Sequence, residues 1–507
     1  MRLFQPAPRC TEVPLPDFTP ADLAQLAAHG IPAAEAGRQL AQLRRGQAWT
    51  TLARPCTPGD GIRTLAADRQ PPLLQRFAAA AAAGRITRFV PASGAATRMF
   101  QPLQAPAGDG RELRHFLAEL ERFPFYPDLA AILARSGDQL EDVRRAGDLP
   151  TLLAALLEPH GLDYARLPKG LLAFHRAGAE VRTAFVEHLA EAAQLVGAGN
   201  QARLHFTVSP EHRPLFDRHL EDWRDALERR HATAFSVTFS VQQPATDTLA
   251  LAGDGQPLRD PDGRLLLRPG GHGALLANLA DLEAEVVLIR NIDNVVPAAR
   301  QGDNLLWDRL LAGLLLELVD RQQALLERLR REPAADAARQ DAVAFLRDEL
   351  GTEPPVVPDA AALIASLDRP LRVCGMVRNS GEPGGGPFWV RRGDGAVSRQ
   401  IVEASQVDRS DPEQAALLAA ATHFNPVDMA CSLGPGGGRH DLARFVDHAA
   451  AIVTTKVQNG QPIRILERPG LWNGAMAGWH TVFVELPAST FNPVKTVFDL
   501  LRPAHQP

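Results

Sequence analysis

The hydrophobic and polar positions along the chain change character several times, and the changes mark out elements. Residues 1 to about 85 read as helical. Thr19 ahead of Pro20-Ala21-Asp22 is an N-cap signal with proline at the first helical position, and Pro72 to Ala83 reads as a further helix that Gly84 ends. At Arg88-Phe-Val-Pro-Ala-Ser-Gly-Ala-Ala-Thr-Arg-Met the pattern becomes a short strand, a small-residue loop and a helix start. Residues 101 to 165 return to mostly helical segments punctuated by Gly and Pro. Four β-leaning runs then appear, Leu204 to Val208, Ala234 to Val241, Val286 to Ile289 and Leu371 to Val377. Helical segments separate them, the pattern of a βαβ-type sheet. The stretch 303 to 367 is rich in Leu, Arg and Glu and strongly helical, and reads as an insertion or lid whose charges form a solvated face. Gly384-Gly385-Gly386 and Gly436-Gly437-Gly438 mark loops. With no internal repeat and no clear linker, the expectation is one integrated body: a helical segment 1–85, then a domain 86–507 carrying helical insertions at 101–165 and 303–367.

Composition narrows the class. Of 507 residues, 45% are hydrophobic and 22% charged, the balance of a folded globular chain. A net charge of -5 argues against a general nucleic-acid binder or a protein held on acidic membrane, while leaving room for a local basic pocket. Cys10, Cys56, Cys374 and Cys431 lie far apart without a CxxC pair, so neither a zinc knuckle nor a disulfide framework is expected, and a reducing compartment fits. The N-terminus has no apolar core of signal-peptide length, and the alanine tract Ala78 to Ala83 is too short to span a bilayer. The expectation is a soluble, cytoplasmic protein.

Four loop segments hold the candidate chemistry. In Ala92-Ser93-Gly94-Ala95-Ala96-Thr97-Arg98-Met99, small residues let backbone amides approach an anion, a following helix N-terminus adds positive dipole, and Arg98 can pair with a phosphate; most such segments are only turns. Pro168-Lys169-Gly170 offers a point charge, or an exposed turn. In Arg268-Pro-Gly-Gly-His-Gly-Ala-Leu275 the glycines around His272 make a backbone against which a base or ribose can lie, or a plain glycine-rich hairpin. Val286-Val-Leu-Ile-Arg-Asn-Ile-Asp-Asn294 is an apolar strand ending in a carboxylate. Open α/β sheets bind ligands beyond the carboxyl ends of their strands, which suits Asp293 to Mg²⁺, though Asx residues also cap strands structurally. Three further features have plain structural accounts: Trp472 as a sugar platform or a packed loop residue, Arg378 and Glu382 before the triple glycine as a phosphate contact or a surface hairpin, and His175 and His188 as packing or surface residues without metal spacing.

Taken in order, these motifs resemble the sugar nucleotidyltransferases, and the UDP-sugar pyrophosphorylases in particular. Ser93 to Met99 resembles their G-x-G-T-R-[LM] loop, with Ala-Ser-Gly-Ala-Ala in place of the glycine pair. Lys169 resembles the lysine that follows that loop, here far downstream, with a helical insertion between. Phe206-Thr-Val-Ser-Pro and Phe239-Ser-Val-Gln-Gln-Pro resemble their Thr-Ser strand and Phe-x-Gln segment. Pro269-Gly-Gly-His-Gly is similar to Pro-Pro-Gly-His-Gly, Asn291-Ile-Asp-Asn to the same four residues, Val402-Glu403-Ala-Ser-Gln406 to Val-Glu-x-[SA]-Gln, and Phe491-Asn-Pro-Val-Lys495-Thr-x-x-Asp-Leu-Leu to Phe-Leu-Pro-Val-Lys-Thr-x-x-Asp-Leu-Leu. The order holds from about residue 88 to 502. The whole sequence also resembles a family known only as domain of unknown function 4301.

The resemblance implies an α/β fold, a Rossmann-like GT-A nucleotidyltransferase sheet flanked by helices. The short tail after Lys495 implies that the C-terminal β-helix of many relatives is missing. It implies that Ser93, Gly94, Ala95, Ala96 and Thr97 hold the nucleotide phosphates while Arg98, Lys169 and Lys495 neutralise charge during catalysis. Gln243 would meet the uracil edge, and Gly271, His272 and Gly273 would line base and ribose. Asp293 would hold Mg²⁺, and Glu403 and Asn425 the sugar hydroxyls. The implied partners are UTP and a sugar 1-phosphate, with neither nucleic acid nor membrane. The implied reaction is in-line attack on the α-phosphate of UTP with loss of pyrophosphate, chemistry that needs positioning and charge neutralisation more than an acid or base. Two other functions share these residues: a catalytically inactive nucleotide-sugar-binding protein, and a GT-A glycosyltransferase. Lys495 and Pro-Lys-Gly argue against the latter, whose chemistry releases no pyrophosphate.

Overall fold

The computed structural model describes residues 18–104, 110–178, 180–381, 384–393, 395–434, 439–458 and 460–507; Cys10, Glu382 and Gly436 to Gly438 lie outside them. The chain divides into two compact units, Met1–Arg76 with Gln242–Val287 and Leu311–Leu486, and Phe77–Val241 with Leu288–Leu310 and Pro487–Pro507. A linker-free chain that crosses repeatedly between two units leaves no compositional boundary to read.

The second unit is built on parallel strands. Ile86–Pro91 pairs with Gln201–Thr207, which pairs with Ala234–Ser240. Ile86–Pro91 is buried along nearly its whole length, as parallel strands covered on both faces require. The helix Ala184–Val196 packs on Gln201–Thr207. Its N-terminus is capped by the Thr183 hydroxyl accepting from Val186 N at 3.3 Å, and Gly197 (φ 83°) ends it. The core holds a closed set of four charges. Arg88 donates to Glu191 (2.9 Å) and Asp308 (2.5 Å), and Arg290 to the same pair at 2.7 and 3.2 Å. All four side chains are buried, a burial tolerable only because each guanidinium meets two carboxylates. The expected insertion forms the helices Arg111–Ala118, Tyr126–Arg135, Leu140–Ala146 and Leu149–Leu157. Phe123 and Phe125 stack at 5.1 Å, and Tyr164 meets Phe125 edge-on at 5.8 Å, fixing these helices by aromatic contact. His175 and His188 are buried, as the packing reading expected. His175 lies between Glu187 (3.1 Å) and His505 (2.9 Å), and His188 meets the Ile292 carbonyl at 3.2 Å.

In the first unit, Leu371–Arg378 runs parallel to His480–Glu485, which runs parallel to Gly61–Arg63; Met429–Ser432 and His423–Phe424 join Leu371–Arg378 antiparallel. A three-stranded antiparallel sheet combines Thr51–Pro55, Gly385–Arg391 and Val397–Glu403. A four-stranded one orders Leu267–Arg268, Thr248–Leu251, Gln461–Glu467 and Ile452–Gln458. Onto its face pack the helices Pro20–Ala28 and Ala33–Arg45, burying Leu26, Leu40 and Leu43 against Leu249, Leu251 and Leu466. Thr19 caps the first helix as the sequence indicated, in a reciprocal box with Asp22.

Three expectations are corrected here. Residues 51 to 63 form short strands where a helical reading stood, because Thr51–Pro55 is completed by pairing with distant Gly385–Arg391. Gly385 and Gly386 are strand residues rather than loop: a Cβ on Gly385 would approach Ile401 to 2.8 Å, and one on Gly386 would approach Phe388 to 2.8 Å. Within the stretch read as an insertion or lid, the long helix packs into the core. Leu311, Leu315, Leu318, Leu326 and Leu329 of the helix Gly302–Arg331 are buried, and a Cβ on Gly313 would come within 2.2 Å of the Leu73 carbonyl oxygen. The free cysteines Cys56, Cys374 and Cys431 are all buried, and no helix among the described residues is long and apolar enough to cross a membrane.

Candidate functional site

The sequence-predicted residues fall into two clusters, one in each unit. In the second unit the strand Ile86–Pro91 runs into the Ser93 to Thr97 loop. The loop is held at its start by Ala92 N donating to the Thr207 carbonyl (2.8 Å) and by the Ser209 hydroxyl donating to the Ser93 carbonyl (3.3 Å). Ser93, Gly94, Ala95, Thr97 and Arg98 are exposed and Ala96 is buried. The helix expected after the loop is a single tight turn, Ala96–Arg98, followed by the four-residue Gln101–Gln104. Its dipole is therefore small, and the loop's own amides and Arg98 remain as the anion-binding groups.

Lys169 lies 71 positions after Arg98 in sequence, yet its backbone N–H donates to the Gly94 carbonyl at 3.1 Å, and Pro168 bridges to Ala95. The helical insertion is thus an excursion whose two ends return to one place. The Lys169 ammonium donates to Asp293 Oδ2 and to the Val494 carbonyl, both at 2.9 Å. Asn291-Ile-Asp-Asn and Phe491-Asn-Pro-Val-Lys are themselves joined. Val494 N donates to the Asp293 carbonyl (3.0 Å), and Asn492 N donates to Asn294 Oδ1 (2.9 Å). Lys495 is exposed, its ammonium 5.8 Å from the Phe491 ring centroid and its backbone N–H donating to Asp499 (2.9 Å). Arg98, Lys169, Asp293 and Lys495 therefore belong to one cluster built by four distant stretches of chain. The Val494 carbonyl is a member that the sequence did not single out.

Asp293 bears on the implied metal. Among the described residues no group of three or more His, Cys, Asp or Glu side chains is placed to cage an ion. Mg²⁺ bound through one carboxylate and a substrate's phosphates needs no such cage. Asp293 Oδ2 holds Lys169, and Oδ1 accepts no hydrogen bond among the described residues, so this side chain fits the single-carboxylate mode.

In the first unit the second cluster centres on His272. Its ring stacks on Trp472 (centroids 4.4 Å apart), so the tryptophan is packed as well as half-exposed. His272 Nδ1 accepts from Leu471 N at 3.1 Å, which places the ring proton on Nε2, 3.7 Å from Glu403 Oε1. Burial lowers the His272 pKa to about 4, so the imidazole is neutral near pH 7 and its contact with Glu403 is not an ion pair. Burial, and then the neighbouring Glu467, push the Glu403 carboxyl above its ordinary value, against a hydrogen bond from Asn473. Gln406 braces this corner, accepting from Glu403 N (2.9 Å) and Asn473 Nδ2 (3.0 Å). Asn425 adjoins Glu403 through Gly385, which pairs with Glu403 and accepts from Asn425 N at 2.7 Å. The Asn425 Nδ2 is buried without an acceptor among the described residues.

The glycines near His272 are also demanded by the packing of the chain itself. A Cβ on Gly273 would sit 2.1 Å from the Pro469 oxygen, and one on Gly270 2.5 Å from the Thr246 oxygen; Gly271 has φ 73° and faces Glu467. Gln243 turns its amide onto Asp281 (2.8 Å). The signal for Gln406, Asn473 and Glu467 was weak in sequence, since only Gln406 lies within a recognisable motif.

The uridine diphosphate N-acetylglucosamine pyrophosphorylase from Trypanosoma brucei is similar in structure, at 15% identity and a TM-score of 0.47 over 96% of this chain and 80% of that one. So are the UDP-glucose pyrophosphorylase from Leishmania major (13%, 0.44, 95% and 77%) and the UDP-glucose phosphorylase from Trypanosoma brucei (14%, 0.44, 96% and 80%). No curated protein matches the chain in sequence. The model of the family described as Domain of unknown function (DUF4301) matches residues 19–506, and the chain belongs to that family.

Proposed function

We propose that this protein is a nucleotidyltransferase that passes a uridylyl group from UTP to a sugar 1-phosphate. The reading rests on the pyrophosphorylase-like motifs and on one observation above all: Lys169, remote in sequence from the Ser93 to Thr97 loop, is hydrogen-bonded beside it and held by Asp293 and Val494. A phosphate oxygen of the sugar 1-phosphate attacks the α-phosphorus of UTP. A new P–O bond forms as the α–β bridging bond breaks, and pyrophosphate leaves with that electron pair.

The loop amides and Arg98 bind the nucleotide phosphates; Lys169 and Lys495 neutralise the charge that builds on the α-phosphoryl and leaving oxygens. Asp293 is the residue that would hold Mg²⁺, which supplies charge neutralisation between phosphates when bound. Gln243 and the His272 loop are assigned to the base and ribose, and Glu403 with Asn425 to sugar hydroxyls. A carboxylate oxygen accepts hydrogen bonds from hydroxyls and the Asn425 amide both donates and accepts, which suits the pair to that last role.

The test is pyrophosphate release from a panel of NTPs and sugar 1-phosphates with Mg²⁺, comparing the wild type with Lys495→Ala. Release dependent on one NTP and one sugar, falling by about 10²–10³ in the variant, supports the proposal. Silence across the panel while UTP or a UDP-sugar still raises the melting temperature identifies a nucleotide-sugar-binding protein instead.

A further inference from the structure

The first unit contains a cavity of about 420 Å³ that shares no residue with either cluster. Arg63, Thr64, Arg69, Leu314, Asp348 and Arg399 are among its lining residues. Two of the three guanidiniums are already matched: Arg63 with Glu349 at 2.9 Å and Arg69 with Glu317 at 2.7 Å. Arg399 is not. It projects from the strand Val397–Glu403, is 7% exposed, and pairs with no carboxylate among the described residues. One terminal nitrogen donates to the Leu350 carbonyl. Its Nε is buried without an acceptor, and its Cζ packs so tightly on Gly351 that a Cβ there would stand 2.7 Å away. Trp389 lies 5.7 Å away along its face. Burial, with Arg63 adding repulsion, lowers the pKa of this guanidinium to about 10. A guanidinium held this rigidly, desolvated and without a counter-ion, is costly unless an anion completes it.

We infer that this cavity is a binding site for a small phosphorylated molecule, with Arg399 as its buried anchor and Arg69 as its exposed arm. Arg399 is the guanidinium without a carboxylate partner, and a phosphoryl group, which carries more charge than a carboxylate, can meet its free N–H groups and draw on Arg69 at the rim although Asp348 also lines the cavity. Leu314, Ile62 and Leu65 offer an apolar surface to the rest of the ligand. The size suits a metabolite rather than a bare ion.

Phenyl phosphate, inorganic phosphate and benzoate, titrated calorimetrically into the full chain at matched ionic strength, test this. Phenyl phosphate should bind saturably, more tightly than either of the others. Arg399→Gln should weaken it by about tenfold or more, and Arg69→Ala by several-fold. Lys169→Met/Lys495→Ala, which removes the phosphate-binding charges of the other unit, should retain it. Should Arg399→Gln fail to fold, Arg69→Ala decides, because that side chain is half exposed and its loss leaves the core intact. Absence of binding, benzoate binding as tightly as phenyl phosphate, or unchanged binding in both arginine variants overturns the inference. Loss of binding in the double lysine variant alone also overturns it, while leaving the nucleotidyltransferase proposal standing.

Discussion

Replacing Lys169 by methionine removes an ammonium while keeping the length and the apolar stem of the side chain. That ammonium makes two contacts of 2.9 Å, and the Lys169 and Asp293 side chains are 16% and 19% exposed. The pair therefore lies between an exposed ion pair, worth about 0–1 kcal/mol, and a fully buried one, where stranding a partner costs roughly 3–5 kcal/mol. A charge-assisted bond lost to Asp293 and an acceptor left bare at Val494 sum to about 2–3 kcal/mol. Denaturant unfolding of the wild type, Lys169→Met, Asp293→Asn and the double variant measures this directly. The two single changes should couple by about 1 kcal/mol or more. In the pyrophosphate-release assay Lys169→Met should also lose about 10²–10³ in kcat at a temperature where the fold stays populated. Unfolding at the wild-type midpoint would refute the energetic reasoning. A stability loss with turnover unchanged would show that the lysine only braces the loop.

Glu191→Gln should destabilise the second unit by roughly 3–5 kcal/mol, because the buried carboxylate charge that Arg88 and Arg290 share would be lost; denaturant unfolding measures the loss. His480 has its pKa lowered to about 3 by burial, whereas an unfolded histidine titrates near 6.5. Between those pH values the unfolded chain binds a proton that the folded chain does not, so the stability present above about pH 6.5 declines as pH falls through the window. His480→Asn should remove about one proton from the uptake on unfolding near pH 5, which is about 1.4 kcal/mol per pH unit of slope. Gly273→Ala forces a backbone shift against the Pro469 oxygen and should cost about 1–3 kcal/mol in thermal or denaturant unfolding.

Four strands were legible in the sequence as β-leaning runs, whether fully buried, as Val286–Ile289 is, or largely half-exposed, as Ala234–Ser240 is. Val286–Ile289 is a continuous apolar run and Leu371–Arg378 a mostly apolar one interrupted by Arg372, and both lie where the sequence pattern indicates strands. The short strands at 51–63 were hidden because residues more than 300 positions away complete the pairing of Thr51–Pro55. Alternating residues on either side of Asn459-Gly460 are a hairpin signal in the sequence, and Ile452–Gln458 pairs antiparallel with Gln461–Glu467. For the sites, residue types were legible and their surroundings were not. Lys169 and Asp293 stood out as charged residues in loops, but nothing local reveals that each is the other's partner. The His272 glycines read as a backbone for a base or ribose, or as a plain hairpin; the packing adds that the Pro469 and Thr246 oxygens leave no room for a Cβ at Gly273 and Gly270.

The link between Lys169 and Val494 has a consequence for biogenesis. The Lys169 ammonium's bonds to Asp293 and Val494 span 124 and 325 positions of chain, and the second unit is written in three separated stretches. During synthesis, Lys169 and Asp293 leave the ribosome well before Val494 exists, so the strand Ile86–Pro91 and its neighbours wait as a partly assembled, apolar intermediate while the intervening unit is made. Contacts of such high sequence separation form late and slowly, and a waiting intermediate is what chaperones bind. Truncation just before residue 487 would therefore yield a chain whose first unit is fully encoded and whose second can never close.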